Sequence, residues 1–199
     1  MRQSFNLILL GDPAAGKGTQ AARLAAKYRM YNFDMGHEVR KPSVRAKFNY
    51  AKTTGAGNLT PTAIVRGILE RTIRTVSPSR GILFNGHPKM IGEARLAAKW
   101  LREADRQDPL VLYLAIPATE TLRRAEKRLV RIGGKLVRRE DDSGQALINR
   151  RKYYREQVAH VVTFFKKNYA FKKISGIGNE REVYARIVAA IAAHEKKQK

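Results

Sequence analysis

The chain has 199 residues, of which 40 are Lys or Arg and 17 are Asp or Glu; the formal charge is +23, 43% of residues are apolar and none is cysteine. This size and apolar fraction suit one folded domain with an ordinary core and exclude wholesale disorder, and the lack of cysteine excludes disulfides and thiolate-bound zinc. No run approaches the ~20 apolar residues that span a bilayer, and Met1-Arg2-Gln3-Ser4 leads into a short apolar run with no cleavage site, so a soluble cytoplasmic protein without leader or membrane contact is expected.

In chain order, Phe5-Asn6-Leu7-Ile8-Leu9-Leu10 is a short apolar run ending at Gly11, the pattern of a buried parallel strand. From Lys17 to Tyr28 the chain is rich in alanine and other helix formers, which predicts a helix starting inside the following loop. Helical stretches over Gly36 to Lys47 and Pro61 to Thr75, joined by Thr53-Thr54-Gly55-Ala56-Gly57, read as a helical insertion. The strand–helix alternation then resumes: Gly81 to Asn85 before a helix from Ile91 to Glu103, and Pro109 to Ile116 before a helix from Thr119 to Val130. Arg131 to Asp142 reads as a basic, glycine-containing loop, followed by a long helix to about Lys167, a strand near Phe171 to Ile174 and a last helix from Glu180 to His194 with a frayed tail. Strands alternating with helices predict an α/β three-layer fold with a central parallel sheet of about five strands. Trp100, Tyr153-Tyr154 and Phe164-Phe165 are expected to pack their helices onto that sheet, and His160 and His194 to be surface or half-buried helical residues.

Gly11-Asp12-Pro13-Ala14-Ala15-Gly16-Lys17 sits between the first strand and the first helix and has the G-x-x-x-x-G-K spacing. Small residues there let successive backbone N–H groups wrap a phosphate while the helix N-terminus adds partial positive charge. Gly11, Ala14, Ala15, Gly16, Lys17, Gly18 and Thr19 are therefore candidate ATP-binding residues, with Lys17 facing the β and γ oxygens. The usual Ser or Thr after the lysine is replaced by Gly18, with Thr19 next.

Gly16-Lys17-Gly18-Thr19-Gln20 resembles adenylate kinases and other nucleoside monophosphate kinases, and further segments follow that family's order over nearly the whole chain. The resemblance implies Mg2+-dependent transfer of the γ-phosphoryl group of ATP to a nucleoside monophosphate, most simply AMP. It implies an acceptor site in which Arg40 of Gly36-His37-Glu38-Val39-Arg40 grips the phosphate and the backbone around Leu59 and Thr60 lines the base. Met35, Gly36, Gly86, Lys89 and Glu93 complete that site. Arg128 and Arg131 resemble the arginines of a short lid, and Arg139 and Arg150 those that brace the transferring group. The implied layout is one kinase domain over 1–199: a core (1–34, 76–130, 142–199), a monophosphate-binding insertion (35–75) and a lid (131–141). Arg123, Arg124, Lys127 and Lys135 crowd the same basic segment but read equally well as solvated surface cations.

Departures from the family pattern gather at the acceptor and metal positions. Asn85 and His37 stand where carboxylates that order the waters around Mg2+ are usual, leaving the Thr19 hydroxyl as the expected metal partner; losing such groups commonly costs ~10- to 100-fold in affinity or activity per partner. Lys89 replaces an arginine and forfeits its planar fork. Glu93 replaces a glutamine, and Met35 a small hydroxyl residue. A second reading is therefore carried alongside the enzyme: a weakly active nucleotide-binding relative engaging RNA or another polyanion. Its support is the altered acceptor site together with the charge, which no nucleic-acid motif accompanies. A monomer with no obligate protein partner is expected.

Overall fold

The computed structural model describes residues 5–56, 58–126, 129–132, 135–138, 152 and 154–197; for 126, 129–132, 135–138 and 154–155 only the main chain is described. Strand β1 (Leu7–Gly11) is buried throughout and passes through a glycine-rich turn into α1 (Lys17–Tyr28). Then come β2 (Tyr31–Phe33), α2 (Met35–Arg40), α3 (Pro42–Arg45), α4 (Thr62–Thr75), β3 (Ile82–Asn85) and α5 (Ile91–Glu103). The chain continues through β4 (Leu110–Ala115), α6 (Ala118–Glu126), β5 (Leu129–Ile132) and β6 (Lys135–Arg138). A π-helical turn at Tyr154–Val158 leads into α7 (Ala159–Asn168), β7 (Phe171–Ser175) and α8 (Glu180–Lys197).

Five strands form one parallel sheet in the order β2-β3-β1-β4-β7. The period-2 alternation of β1 sends Ile8 and Leu10 to one face, where α2, α3, α4, α5 and α7 pack, and Leu7 and Leu9 to the other, covered by α1 and α8. This is the expected three-layer α/β fold, and α1 and α5 begin and end where the sequence predicts. Trp100 and Phe165 lie in the core, Phe164 packs against it, and His160 is exposed; Tyr153 lies outside the described residues.

Three stretches differ from expectation. β2 is an additional edge strand, too short at three residues for its alternation to register. The predicted helix over Gly36 to Lys47 breaks into α2 and α3 because Pro42 has no N–H to continue the first helix and suits the opening of the second. The basic segment after α6 forms an antiparallel pair, β5 with β6, in place of the expected end of a helix and a loop. Short apolar stretches, Leu129-Val130 with Ile132 and Leu136-Val137, flank Gly133-Gly134, which suits a hairpin in spite of the charge.

Two buried polar side chains hold the frame at the sheet's lower edge. Asn6, 1% exposed, donates through Nδ2 to Gln107 O at 2.7 Å and accepts the Ile82 N–H on Oδ1 at 3.0 Å, clamping the entrances of β3 and β4 to that of β1. Arg106 donates to the carbonyls of Ile73, Val76 and Arg80, closing the C-terminal end of α4 against the core. Asn6→Ala leaves the buried Ile82 N–H and the partly buried Gln107 carbonyl without these partners, which should cost about 3 kcal/mol; the urea midpoint should fall with an unchanged slope.

Candidate functional site

The phosphate loop is shaped by one close approach. A Cβ on Gly11 (φ +150°) would lie 2.4 Å from Leu114 O and 2.8 Å from Leu114 Cβ, so only glycine lets β1 turn there against β4. Asp12 then ties the loop to β4 and its exit: Asp12 N–H donates to Leu114 O at 3.0 Å, Oδ1 accepts Tyr113 Oη–H at 2.7 Å and Oδ2 accepts Ile116 N–H at 2.9 Å. Ala14 (φ +58°) and Gly16 (φ +86°) take left-handed conformations that curl the backbone into a nest. Gly16 is the N-cap of α1, no side chain caps it, and the first turn has no acidic residue, so that helix end keeps its positive character. Lys17 arcs back over the loop and donates from Nζ to Gly11 O at 2.7 Å and Asp12 O at 2.8 Å. Ala15 is buried, while Gly18 and Thr19 are exposed at the start of the helix.

The ends of β3 and β2 bring the acceptor-side residues to the same place. Gly86 N–H donates to Leu9 O at 2.9 Å, and a Cβ on Gly86 (φ +67°) would stand 3.1 Å from Lys17 Cε, so the Lys17 stem lies directly over Gly86. Next to Gly86, Asn85 donates through Nδ2 to Asp34 Oδ2 at 3.4 Å. Asp34 is the N-cap of α2, and its Oδ1 accepts the His37 N–H at 3.1 Å, while the His37 side chain is exposed. Arg40 donates from Nη1 to Gly36 O at 2.6 Å, and a Cβ on Gly36 would lie 3.1 Å from both Asp34 Oδ1 and Arg40 Nη1. Lys17, Gly86, Asn85, Gly36 and Arg40 thus form one contiguous strip, with Asp34 an acidic member that the sequence did not single out.

Two other acceptor-side positions, Met35 and Glu93, lie deeper. Met35 is 6% exposed and packs in the core. Glu93, 5% exposed, turns Oε2 back to accept Lys89 N–H at 2.8 Å and Met90 N–H at 3.2 Å, capping α5. Lys89 is half-buried beside it; Leu59 and Thr60 are half-buried too, with Thr60 Oγ1 2.7 Å from Thr54 Oγ1. Behind Lys89, His87 is 1% exposed, edge-on to Phe33, and its Nε2 has no hydrogen-bond partner among the described residues. Burial pushes the imidazole down to about 4, opposed by the charge of Glu93 and helped by that of Lys89. The ring is therefore neutral at pH 7, and its 3.7 Å approach to Glu93 Oε2 is a packing contact and not an ion pair.

On the opposite flank, Arg123 and Arg124 both bind Glu120, and their hydrogen bonds hold its carboxyl down at about 2. Arg124 also donates to Gly176 O at 3.2 Å, and a Cβ on Gly176 would lie 3.6 Å from Ala15 O, which brings this cation up to the phosphate loop. Of the expected lid and bracing residues, Arg128, Arg139 and Arg150 lie outside the described residues, and Arg131 is placed by its main chain alone, on β5.

Among the described residues no three His or acidic side chains gather as a direct metal cage. The donors at the loop's edge are a hydroxyl (Thr19), a carboxylate (Asp34) and an amide (Asn85), hard oxygens that suit a Mg2+ ion which keeps its waters and is held mainly by phosphate oxygens.

A phosphate nest between β1 and α1, on a parallel sheet ordered 2-3-1-4-7, defines a P-loop nucleotide-binding protein, with the site outside the carboxyl ends of the strands. The adenylate kinase family model matches residues 9–170. An adenylate kinase of Stenotrophomonas maltophilia is 32% identical over 194 residues, covering 95% of this chain and 100% of that protein. One of Azobacteroides pseudotrichonymphae is 30% identical over 94% of this chain and 97% of its own length, and one of Phocaeicola vulgatus 28% identical over 94% and 98%. The chain belongs to the adenylate kinase family.

His87 supplies a test of this packing. Its folded pKa lies below the ordinary 6.5, so the unfolded chain takes up the proton first. Its contribution to stability is whole above pH 6.5 and is lost as pH falls toward 4, by on the order of 3 kcal/mol. In urea unfolding, the stability difference between wild type and His87→Phe should be flat above pH 6.5 and shift in favour of the variant across pH 6.5 to 4; a flat difference throughout would contradict a buried neutral imidazole.

Proposed function

We propose that the protein is an adenylate kinase, transferring the γ-phosphoryl group of ATP reversibly to a nucleoside monophosphate, most simply AMP. The observation that carries this reading is the strip from Lys17 over Gly86 to Asn85, Asp34 and Arg40. It links an ATP-phosphate nest to a second cationic site through successive contacts of neighbouring residues, as a reaction between two nucleotides requires. The matching relatives are adenylate kinases over nearly their whole lengths.

In this reading Gly11, Ala14, Ala15, Gly16, Gly18 and Thr19 hold the ATP phosphates by backbone N–H groups and a hydroxyl, and Lys17 follows the γ-phosphoryl group. Arg40 and Lys89 hold the acceptor phosphate, with Gly36, Leu59, Thr60 and Gly86 giving backbone room and Met35 and Glu93 shaping the wall behind it. The segment 35–75 closes over the acceptor and 131–141 over ATP, shedding water that would otherwise take the phosphoryl group. Arg128, Arg131, Arg139 and Arg150 are assigned to this closing side by the family resemblance. Phosphoryl transfer spreads charge over the equatorial oxygens, so catalysis is positioning plus cationic stabilisation, and arginines and lysines from several elements fit that demand. Thr19 would hold Mg2+ when it is bound with ATP, and the ion would neutralise part of the phosphate charge.

No helix among the described residues is long and apolar enough to cross a membrane, and a cytoplasmic site of action is part of the proposal. The matching relatives, named as adenylate kinases, lend no support to the alternative of a polyanion-binding protein.

The purified protein should form ADP from Mg·ATP and AMP, and Lys17→Met should lower the rate by at least ~10^2-fold, the scale of losing one transition-state contact. Equal rates for wild type and variant, or no diphosphate from any of AMP, CMP, UMP or GMP while ATP still binds, would overturn the reading.

A further inference from the structure

Neither position at which the family resemblance implies a carboxylate carries one: 85 is asparagine and 37 is histidine. The register of the sheet bears on this gap. β2 and β3 are parallel with Phe33 opposite Phe84, so the next step places Asp34 beside Asn85, one strand spacing of ~4.8 Å away. The Asn85 amide points at the Asp34 carboxylate, as a neutral donor can and a second carboxylate could not.

The carboxylates bordering the site are not equally engaged. Asp12 has both oxygens in bonds of 2.7 and 2.9 Å, and Glu93 has Oε2 on two backbone N–H groups. Asp34 uses Oδ1 to cap α2, while Oδ2 receives the Asn85 amide at 3.4 Å, long for such a bond. That oxygen lies in the strip between Lys17 and Arg40, where the phosphates of the two nucleotides would meet.

We propose that Asp34 is the positioning carboxylate for the metal shell of bound ATP: through Oδ2 it orders a Mg2+-bound water, a role moved sideways by one strand from position 85 to position 34. This rests on the proposed ATP-dependent reaction. A water-mediated contact tolerates the displacement, because Mg2+ keeps several of its waters and outer partners act by hydrogen bonds to them. The same aspartate caps α2, so a merely structural role must be separated from this one. Asparagine caps a helix about as well as aspartate but carries no charge.

The test measures metal affinity without turnover. Mn2+ is titrated by electron paramagnetic resonance into the protein saturated with a non-hydrolysable ATP analogue, for wild type, Asp34→Asn, Asp34→Ser and the double variant Asp34→Asn/Asn85→Asp. The single variants should bind Mn2+ about 10- to 100-fold more weakly, with the urea midpoint and the metal-free affinity for the analogue held. The double variant should recover most of the loss. Unchanged Mn2+ affinity in both single variants overturns the proposal, as does a metal-free affinity that falls in parallel or a double variant that recovers nothing. Failure of the wild-type protein to convert AMP would instead count against the enzyme reading, and the titration reports on Asp34 separately.

Discussion

The turn at the end of β1 depends on Gly11 having no side chain. With the backbone of β4 filling the space a Cβ would need, the chain can leave the sheet only at this residue, and it leaves between two hydrogen-bonded neighbour strands. That exit constrains the rest of the loop. Asp12 is pinned to β4 on three bonds, Ala14 and Gly16 must curl left-handed to start α1, and Lys17 is delivered over the loop and onto Gly86. A sheet edge could not do this, because the loop would then have only one wall.

Because β3 is the neighbour of β1 on one side and β2 lies just beyond, their ends come into the same line as the loop. The phosphate nest is built from backbone whose shape few residues permit; the strip from Gly86 to Arg40 carries the differences from the family pattern. Two of those differences are met by burial. Glu93 is committed to the N-terminus of α5 and Met35 to the core, and in the proposed acceptor pocket both would act through its shape. His87, neutral inside the protein, belongs to the same packed layer behind Lys89.

Legibility in the sequence followed signal length. The loop was readable because its spacing is tied to a backbone shape that few residues permit, and α1 and α5 because twelve or thirteen residues repeat a helical pattern. β2, with one buried residue in three, was not, and Asp34 was hidden with it, since a carboxylate after an unrecognised strand has no assigned place. The β5–β6 pair was obscured because its few apolar residues lie among basic ones, which read as a solvated loop. Arg124 could be singled out only by its tertiary contact with Gly176, since sequence neighbours explain it equally well as a partner of Glu120. The fate of Glu93 and His87 was beyond pattern alone: both are polar residues at the passage from β3 into α5, and only packing decides which way they face.

The central claim is that two distinct nucleotide sites meet across Lys17 and Gly86. Backbone amide chemical shifts of the labelled protein, followed while AMP and a non-hydrolysable ATP analogue are added separately and then together, test it most directly. The account predicts that the ATP analogue moves the amides of Gly11 to Thr19, that AMP moves those of Asp34 to Arg40, Leu59 to Thr60 and Gly86 to Lys89, and that both bind at once. One shared set of shifts, with either nucleotide displacing the other, would contradict it.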